Sequence, residues 1–257
     1  MRPGFFLFIP IVFAAHAGVT GQDAVLFLLR EPAWNNQSDL SGKRLQWTGF
    51  IRQYFCTAGW NASGIGVSYH AGQGESSALI MRDGIPGFSW YHLYLSHRQQ
   101  IEQLNTRIQL RFSGILTAGQ RPVFRLGANL AMGIPVGEAT RIDIGVWDAP
   151  GLLFPRAAPA RGDPMIRLQA THSPGRLLDL LWALDLSPAR PGPLYMGIRM
   201  KINEQLRISG LIRILQPGFT LGISWSLHGM HLNFLMDEGS GVGMTPTIVA
   251  GGGMGKG

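Results

Sequence analysis

The chain has 257 residues, 22 Lys and Arg against 15 Asp and Glu, and a formal net charge of +7. Charged residues make up only 14%, against about 25% in an ordinary soluble domain, while 46% are hydrophobic, 35 are Gly and one is Cys. These values exclude a disordered chain, a coiled coil and a disulfide scaffold, and leave a Gly-rich all-β protein or a membrane protein.

The first segment, 1–21, reads as a secretory signal. Arg2 is a short basic region, Phe5 to Ala15 is apolar, and Val19 and Gly21 are the small residues before a cut at Gln22. A cut after Ala17 is the alternative, and the apolar run is too short for a stable membrane span. Residues 22–44 form an N-terminal segment. It opens on the apolar run AVLFLLR and turns polar at REPAWNNQSDLSGK. Two readings stay open for it: a plug inside a barrel, with Glu31 and Asp39 pairing to lumen arginines, or a first strand at Ala24 to Arg30.

From Leu45 the pattern has period 2. Leu45, Trp47 and Ile51 alternate with Gln46, Thr48 and Arg52, and Ile65, Val67 and Tyr69 alternate with Gly64, Gly66 and Ser68. The rhythm returns at Ile108–Phe112, Phe124–Met132, Ile142–Val146, Ile166–Ala170, Met196–Ile202, Leu206–Ile214, Phe219–Leu227 and Met230–Met236. Successive side chains on a strand point to opposite faces, so each run has one apolar and one small or polar face. Turn signals separate the runs, among them Ala71–Gly74, Asp83–Gly87, Thr117–Pro122, Pro135–Gly137, Asn203–Glu204 and Asp237–Gly241. Arg98 to Arg107 reads either as a short helix or as a polar hairpin, and Ala149 to Pro164 as a long Pro-rich loop.

About 12–14 strands of roughly ten residues, joined mostly by short turns, are the signature of a transmembrane barrel. The expected architecture is therefore an all-β, antiparallel transmembrane β-barrel of outer-membrane type over 45–250. A Gly-rich tail follows at 251–257. The expected location is the cell outer membrane, with its lipid as partner. A secreted β-sandwich is the competing architecture. Trp60, Trp90, Tyr91, Trp147, Tyr195 and Trp225 lie near strand ends and are expected to form interface girdles.

The chemistry-bearing residues are sparse. His228 and His231, three apart, should fall on opposite faces of one strand, a poor metal pair. Gly239 to Gly243 is Gly-rich but opens no helix, so a hairpin fits it better than a phosphate loop. Cys56 reads as a small lipid- or core-facing residue. No catalytic set, metal site or cofactor motif stands out, and no basic cluster with interleaved aromatics points to nucleic acid. The basic residues fall mainly on the polar faces. Arg52, Arg107, Arg111, Arg125, Arg167, Arg199, Arg207 and Arg213 are the lumen-facing candidates, with Lys201 beside them. They would favour anions or hold a plug, or pair with Asp143, Asp179, Asp185 and Glu204 and fill the lumen.

Three segments carry a family resemblance. LREPAW (Leu29–Trp34) followed by RLQWTGF (Arg44–Phe50) resembles the early "NPA…R.QW.G" pattern of the PorP/SprF-like outer-membrane proteins of Bacteroidota, and Pro193–Leu227 resembles their late hairpins. The resemblance implies a non-enzymatic barrel that serves as a component or partner of a type IX secretion or surface-assembly system, in contact with other envelope proteins. The alternative is a porin-like transport barrel for small solutes or apolar molecules. A lipid-modifying barrel enzyme is a third and weaker class.

Overall fold

A computed structural model describes residues 45–54, 59–149, 164–187, 191–214, 218–239 and 243–254. The expectations for the signal segment, for 22–44, for Cys56 and for most of Ala149–Pro164 lie outside the described residues. The fourteen strands are β1 (Leu45–Gln53), β2 (Asn61–Ala71), β3 (Gly74–Ile85), β4 (Phe88–Ile101), β5 (Leu104–Thr117), β6 (Val123–Val136) and β7 (Thr140–Trp147), then β8 (Met165–His172), β9 (Leu178–Leu186), β10 (Pro191–Lys201), β11 (Leu206–Arg213), β12 (Gly218–Leu227), β13 (Met230–Gly239) and β14 (Gly243–Met254). Each pairs antiparallel with its neighbours in sequence, and β1 pairs with β14 to close the barrel. Closure leaves no sheet edge, which lipid demands because it supplies no hydrogen bonds to stray backbone groups.

The two faces of the wall explain the composition. Outward positions are apolar and exposed: Ile51 is 66% exposed, Leu221 55% and Ile223 51%. Inward positions hold the buried groups, polar ones such as Asp185, Thr220 and Thr247 with a smaller apolar set that includes Phe50, Met81, Leu211 and Leu235. An apolar exterior over a polar interior is the inverse of a soluble globule and marks a membrane-spanning barrel of outer-membrane type. The low charge fraction follows: half of every strand faces hydrocarbon.

The two ends differ. Connections 72–73, 102–103, 137–139, 173–177, 202–205 and 228–229 lie at the end where β1 starts and β14 finishes, the short-turn end. The strand termini Gln53, Asn61, Ile85, Phe88, Thr117, Val123, Trp147, Met165, Leu186, Pro191, Arg213, Gly218, Gly239 and Gly243 lie at the other end, which is called the long-loop end because more residues of sequence separate the strands there. The two-residue turns need unusual backbone: Gly72 has φ +58°, Gly87 +86° and Gly229 +81°. Positive φ costs glycine nothing, which lets these hairpins reverse in two residues.

One alternative is decided and two expectations change. Arg98 to Arg107 is the hairpin rather than the helix: β4 and β5 run through it, pair from Arg98↔Arg107 to Ile101↔Leu104, and reverse at Glu102, whose φ is +53°. His228 and His231 do not share a strand, because His228 forms the β12–β13 turn with φ +47°. The barrel also extends past residue 250. Gly251, Gly252 and Gly253 pair with Thr48, Trp47 and Gln46, and a Cβ at Gly252 would press on the Trp47 indole. The glycines read as a tail in isolation; opposite β1 they make the seam where a bulky outward ring needs room.

Candidate functional site

Directly opposed residues on paired strands share a face, so the register sorts the side chains. Val249, Phe50, Gly64, Met81, His92, Ser113 and Arg125 form one continuous inward row across β14, β1, β2, β3, β4, β5 and β6. By the same parity all eight selected arginines face the lumen.

Most of them are held by carboxylates. Arg167 donates to Asp185 through Nε and Nη2 at 2.5 and 2.7 Å, a bidentate pair that is almost wholly buried. The same guanidinium lies over the rings of Trp147 and Tyr195, 5.1 and 5.5 Å from their centroids. Arg52 and Arg213 both donate to Asp237, at 3.1 and 3.2 Å, and the Thr220 hydroxyl donates to the same carboxylate at 2.7 Å. Arg199 pairs with Asp179 at 2.6 Å and Arg111 with Asp148 at 3.7 Å. Arg107 and Arg207 lie across from Arg98 and Lys201, so like charges oppose each other near the short-turn end. Arg125 is exposed to the lumen opposite Ser113. Of the expected acids, Asp143 pairs with Arg141 rather than with a selected arginine, and Glu204 is exposed in turn 202–205. Asp237, Asp148 and Glu75 act as counter-charges that the sequence did not single out.

The interface girdle needs correction. Tyr91 and Trp225 do face outward, at 41% and 49% exposure. Trp60, Trp90, Trp147 and Tyr195 share the parity of lumen residues and face inward. Nearness to a strand end fixes depth in the membrane, whereas the odd or even position fixes the face. The outward aromatics at the short-turn end are Trp47, Tyr69 and Trp225, and Tyr91 and Phe124 serve the other end.

The inward aromatics make a continuous ladder. Tyr54, Trp60, Phe88, Trp90, His92 and Tyr94 follow one another with ring centroids 5.9–6.4 Å apart, from the long-loop rim to the middle of β4. The period-2 run FSWYHLY places four of these rings on one face of β4. The Trp60 indole donates to Asp83 at 2.5 Å, and His92 Nδ1 shares a hydrogen bond with Ser113 at 2.8 Å. The Trp90 indole N–H and His92 Nε2 are buried without a hydrogen-bond partner.

Other histidines are spread out: His97 and His172 face outward against Ser76 and Thr140, and His231 bonds Ser226 in the lumen. Among the described residues, no group of three or more His, Cys, Asp or Glu could hold a metal ion.

No family model and no curated protein matches the chain. Solved structures do match its fold. The Acinetobacter baumannii outer-membrane protein Omp33 aligns with TM-score 0.55 at 7% identity, over 83% of this chain and 99% of its own. A deletion mutant of TodX, a monoaromatic hydrocarbon channel, aligns with TM-score 0.56 at 7% identity over 83% and 91%. A bacterial polysaccharide outer-membrane secretin aligns with TM-score 0.54 at 6% identity over 83% and 99%. At such identities the likeness establishes the fold: a closed barrel of the outer-membrane kind.

Proposed function

We propose that this chain is a non-enzymatic transport barrel of the outer membrane, which passes small molecules along its lumen with the long-loop end facing the cell exterior. One observation carries the reading. Long lumen side chains lie along the wall, over inward glycines of the strands beside them. A Cβ at Gly64 would collide with Phe50, at Gly127 with Asp148 and Arg111, at Gly133 with Asp143 and Arg141, and at Gly218 with Arg213. Bulk is therefore stored against the wall, which accounts for the burial of these groups without sending them to the axis. An eight-stranded barrel is filled by its own side chains, and width grows with strand number. Fourteen strands with flattened linings support a passage. The hydrocarbon channel among the fold neighbours is consistent with this use of the architecture. The secretion-partner role implied by the PorP/SprF-like resemblance has no matching family model behind it.

Swelling of liposomes that contain the purified, full-length barrel tests the proposal. Swelling should proceed in small neutral solutes and slow as solute size rises. A folded barrel that admits none of them, and that co-purifies with other envelope proteins from native membranes, would return the secretion-partner reading to first place.

A further inference from the structure

We infer that the outer wall at the long-loop end carries a docking site for the phosphate of a membrane lipid, built around Arg82. The inference needs the membrane-spanning barrel and is independent of the transport reading. Lipid favours an apolar outer face, and a charge on it is most costly at mid-depth and least costly near the membrane surface. Among the described strand residues, the register puts a single Lys or Arg on that face. Arg82 on β3 lies directly across from Ser63 on β2 and Tyr91 on β4, both exposed, while its chain neighbours Met81 and Asp83 are buried on the lumen side. The same outward row runs on through Gly114 to Phe124. Phe124 is 77% exposed and leans over that glycine, since a Cβ at Gly114 would stand 3.1 Å from its ring.

The direction of the side chain fixes where its charge sits. Arg82 Nε and Nη2 both donate to the Ser89 hydroxyl, at 3.3 and 3.1 Å, and Ser89 pairs with Gly84, two residues nearer the rim than Arg82. The guanidinium is therefore turned away from mid-depth toward the headgroup layer, as long cations on a membrane wall are. It meets a hydroxyl there and, among the described residues, no carboxylate. Glu238, the acid on the outward face, lies on β13, four strands away round the closed wall. Arg167 and Arg199 in the lumen, by contrast, close their forks on Asp185 and Asp179. A guanidinium fork matches two oxygens of a phosphate, and the Ser63 and Tyr91 hydroxyls stand beside it as further donors. The exposed Tyr91 and Phe124 rings mark the membrane surface and offer apolar area for an acyl chain. A cationic fork bordered by apolar rings suits a phosphate that carries chains, rather than a free anion.

Titration of the purified full-length barrel in detergent with dioleoylphosphatidic acid, read by native mass spectrometry, tests the inference. Dioleoylglycerol, which has the same chains and no phosphate, is the control lipid. The expected result is saturable retention of phosphatidic acid and none of dioleoylglycerol. Arg82→Gln should weaken retention roughly ten-fold. Arg82→Lys, which keeps the charge and loses the fork, should weaken it less. Arg125→Gln, which removes a cation from the lumen face at the same end, should leave it unchanged. Folding of each variant is checked by its heat-modifiable mobility, and Arg82→Lys stands in should Arg82→Gln fail to fold. Equal retention of the two lipids, or equal retention by wild type and the Arg82 variants, would overturn the site. Displacement of the lipid by millimolar inorganic phosphate would make it a free-anion site and overturn the lipid. A wild-type dimer that holds no lipid and falls apart in Arg82→Gln would give the face to a second copy of the chain instead. The transport reading fails separately. A barrel that retains phosphatidic acid but passes no solute in swelling assays keeps the site and loses transport, and one that passes solutes but retains no lipid does the reverse.

Discussion

Asp185 and Asp179 carry the same charge, face the same lumen and each hold one arginine, yet they are not equivalent. The side chains of Arg167 and Asp185 are 4% and 2% exposed, while those of Arg199 and Asp179 are 19% and 26% exposed. Removing one partner of a deeply buried pair strands the other charge and costs about 3–5 kcal/mol, whereas exposed pairs contribute about 0–1 kcal/mol. Asp185→Asn should therefore lower the unfolding midpoint of the folded barrel far more than Asp179→Asn, as read by urea titration in lipid or detergent. Arg167 also stacks on Trp147 and Tyr195, so the damage should extend to both rings and redshift tryptophan emission. Equal losses at the two positions would mean that the lumen around Arg167 is as wet as that around Arg199. The lumen arginines themselves were readable from residue parity. Their partners were readable in part: Asp179 and Asp185 were among the acids the sequence offered, whereas Asp237 was not, because it lies 185 residues from Arg52 in sequence and only the closed sheet brings them together.

At the scale of a strand, legibility depends on how the two faces differ. β12 alternates Phe219, Leu221, Ile223 and Trp225 with Thr220, Gly222, Ser224 and Ser226, and its register with β11 and β13 preserves that division. Arg at an outward position near the bilayer midplane costs about 2–4 kcal/mol. Leu221→Arg or Ile223→Arg should pay that cost, while Ser224→Arg, which points into a wet and charged lumen, should pay much less. Comparable losses in folding free energy from the two faces would contradict the register. β3, β4, β9 and β14 were harder to read, each for a local reason. β9 (LDLLWALDL) puts Leu181 and Ala183 on its inward face beside Asp179 and Asp185, which blurs the alternation. In β4 the inward face is itself aromatic, so FSWYHLY offers no contrast between apolar and polar positions. That lack of contrast hid the ladder and left Trp60 and Trp90 assigned to the lipid interface. The turns at 173–177 and 228–229 were missed for a related reason, since HSPGRL and LHGM interrupt no long apolar run.

Taken as a whole, the barrel wall is polarised in charge. Arg52, Arg98, Arg107, Arg111, Arg125, Arg141, Arg167, Arg199, Lys201, Arg207 and Arg213 face the lumen, against Glu75, Asp83, Asp143, Asp148, Asp179, Asp185 and Asp237. Among the described residues the basic groups outnumber the acidic ones, and the surplus is not uniform. Lys201 and Arg207 oppose each other near the short-turn end, and Arg125 is exposed at the other end. A passage lined by an excess of one sign concentrates counter-ions, because low-dielectric walls focus the field along the axis. Ion flow through the reconstituted barrel should therefore favour chloride over potassium across a salt gradient, with a reversal potential of the corresponding sign. The preference should fade as salt rises, since the Debye length shortens from about 10 Å at 0.1 M to about 3 Å at 1 M. Lys201→Gln combined with Arg125→Gln should reduce it without unfolding the barrel, because neither residue holds one of the buried carboxylates described above. A cation preference in the wild type would show that the acidic groups, not the surplus arginines, border the path the ions take.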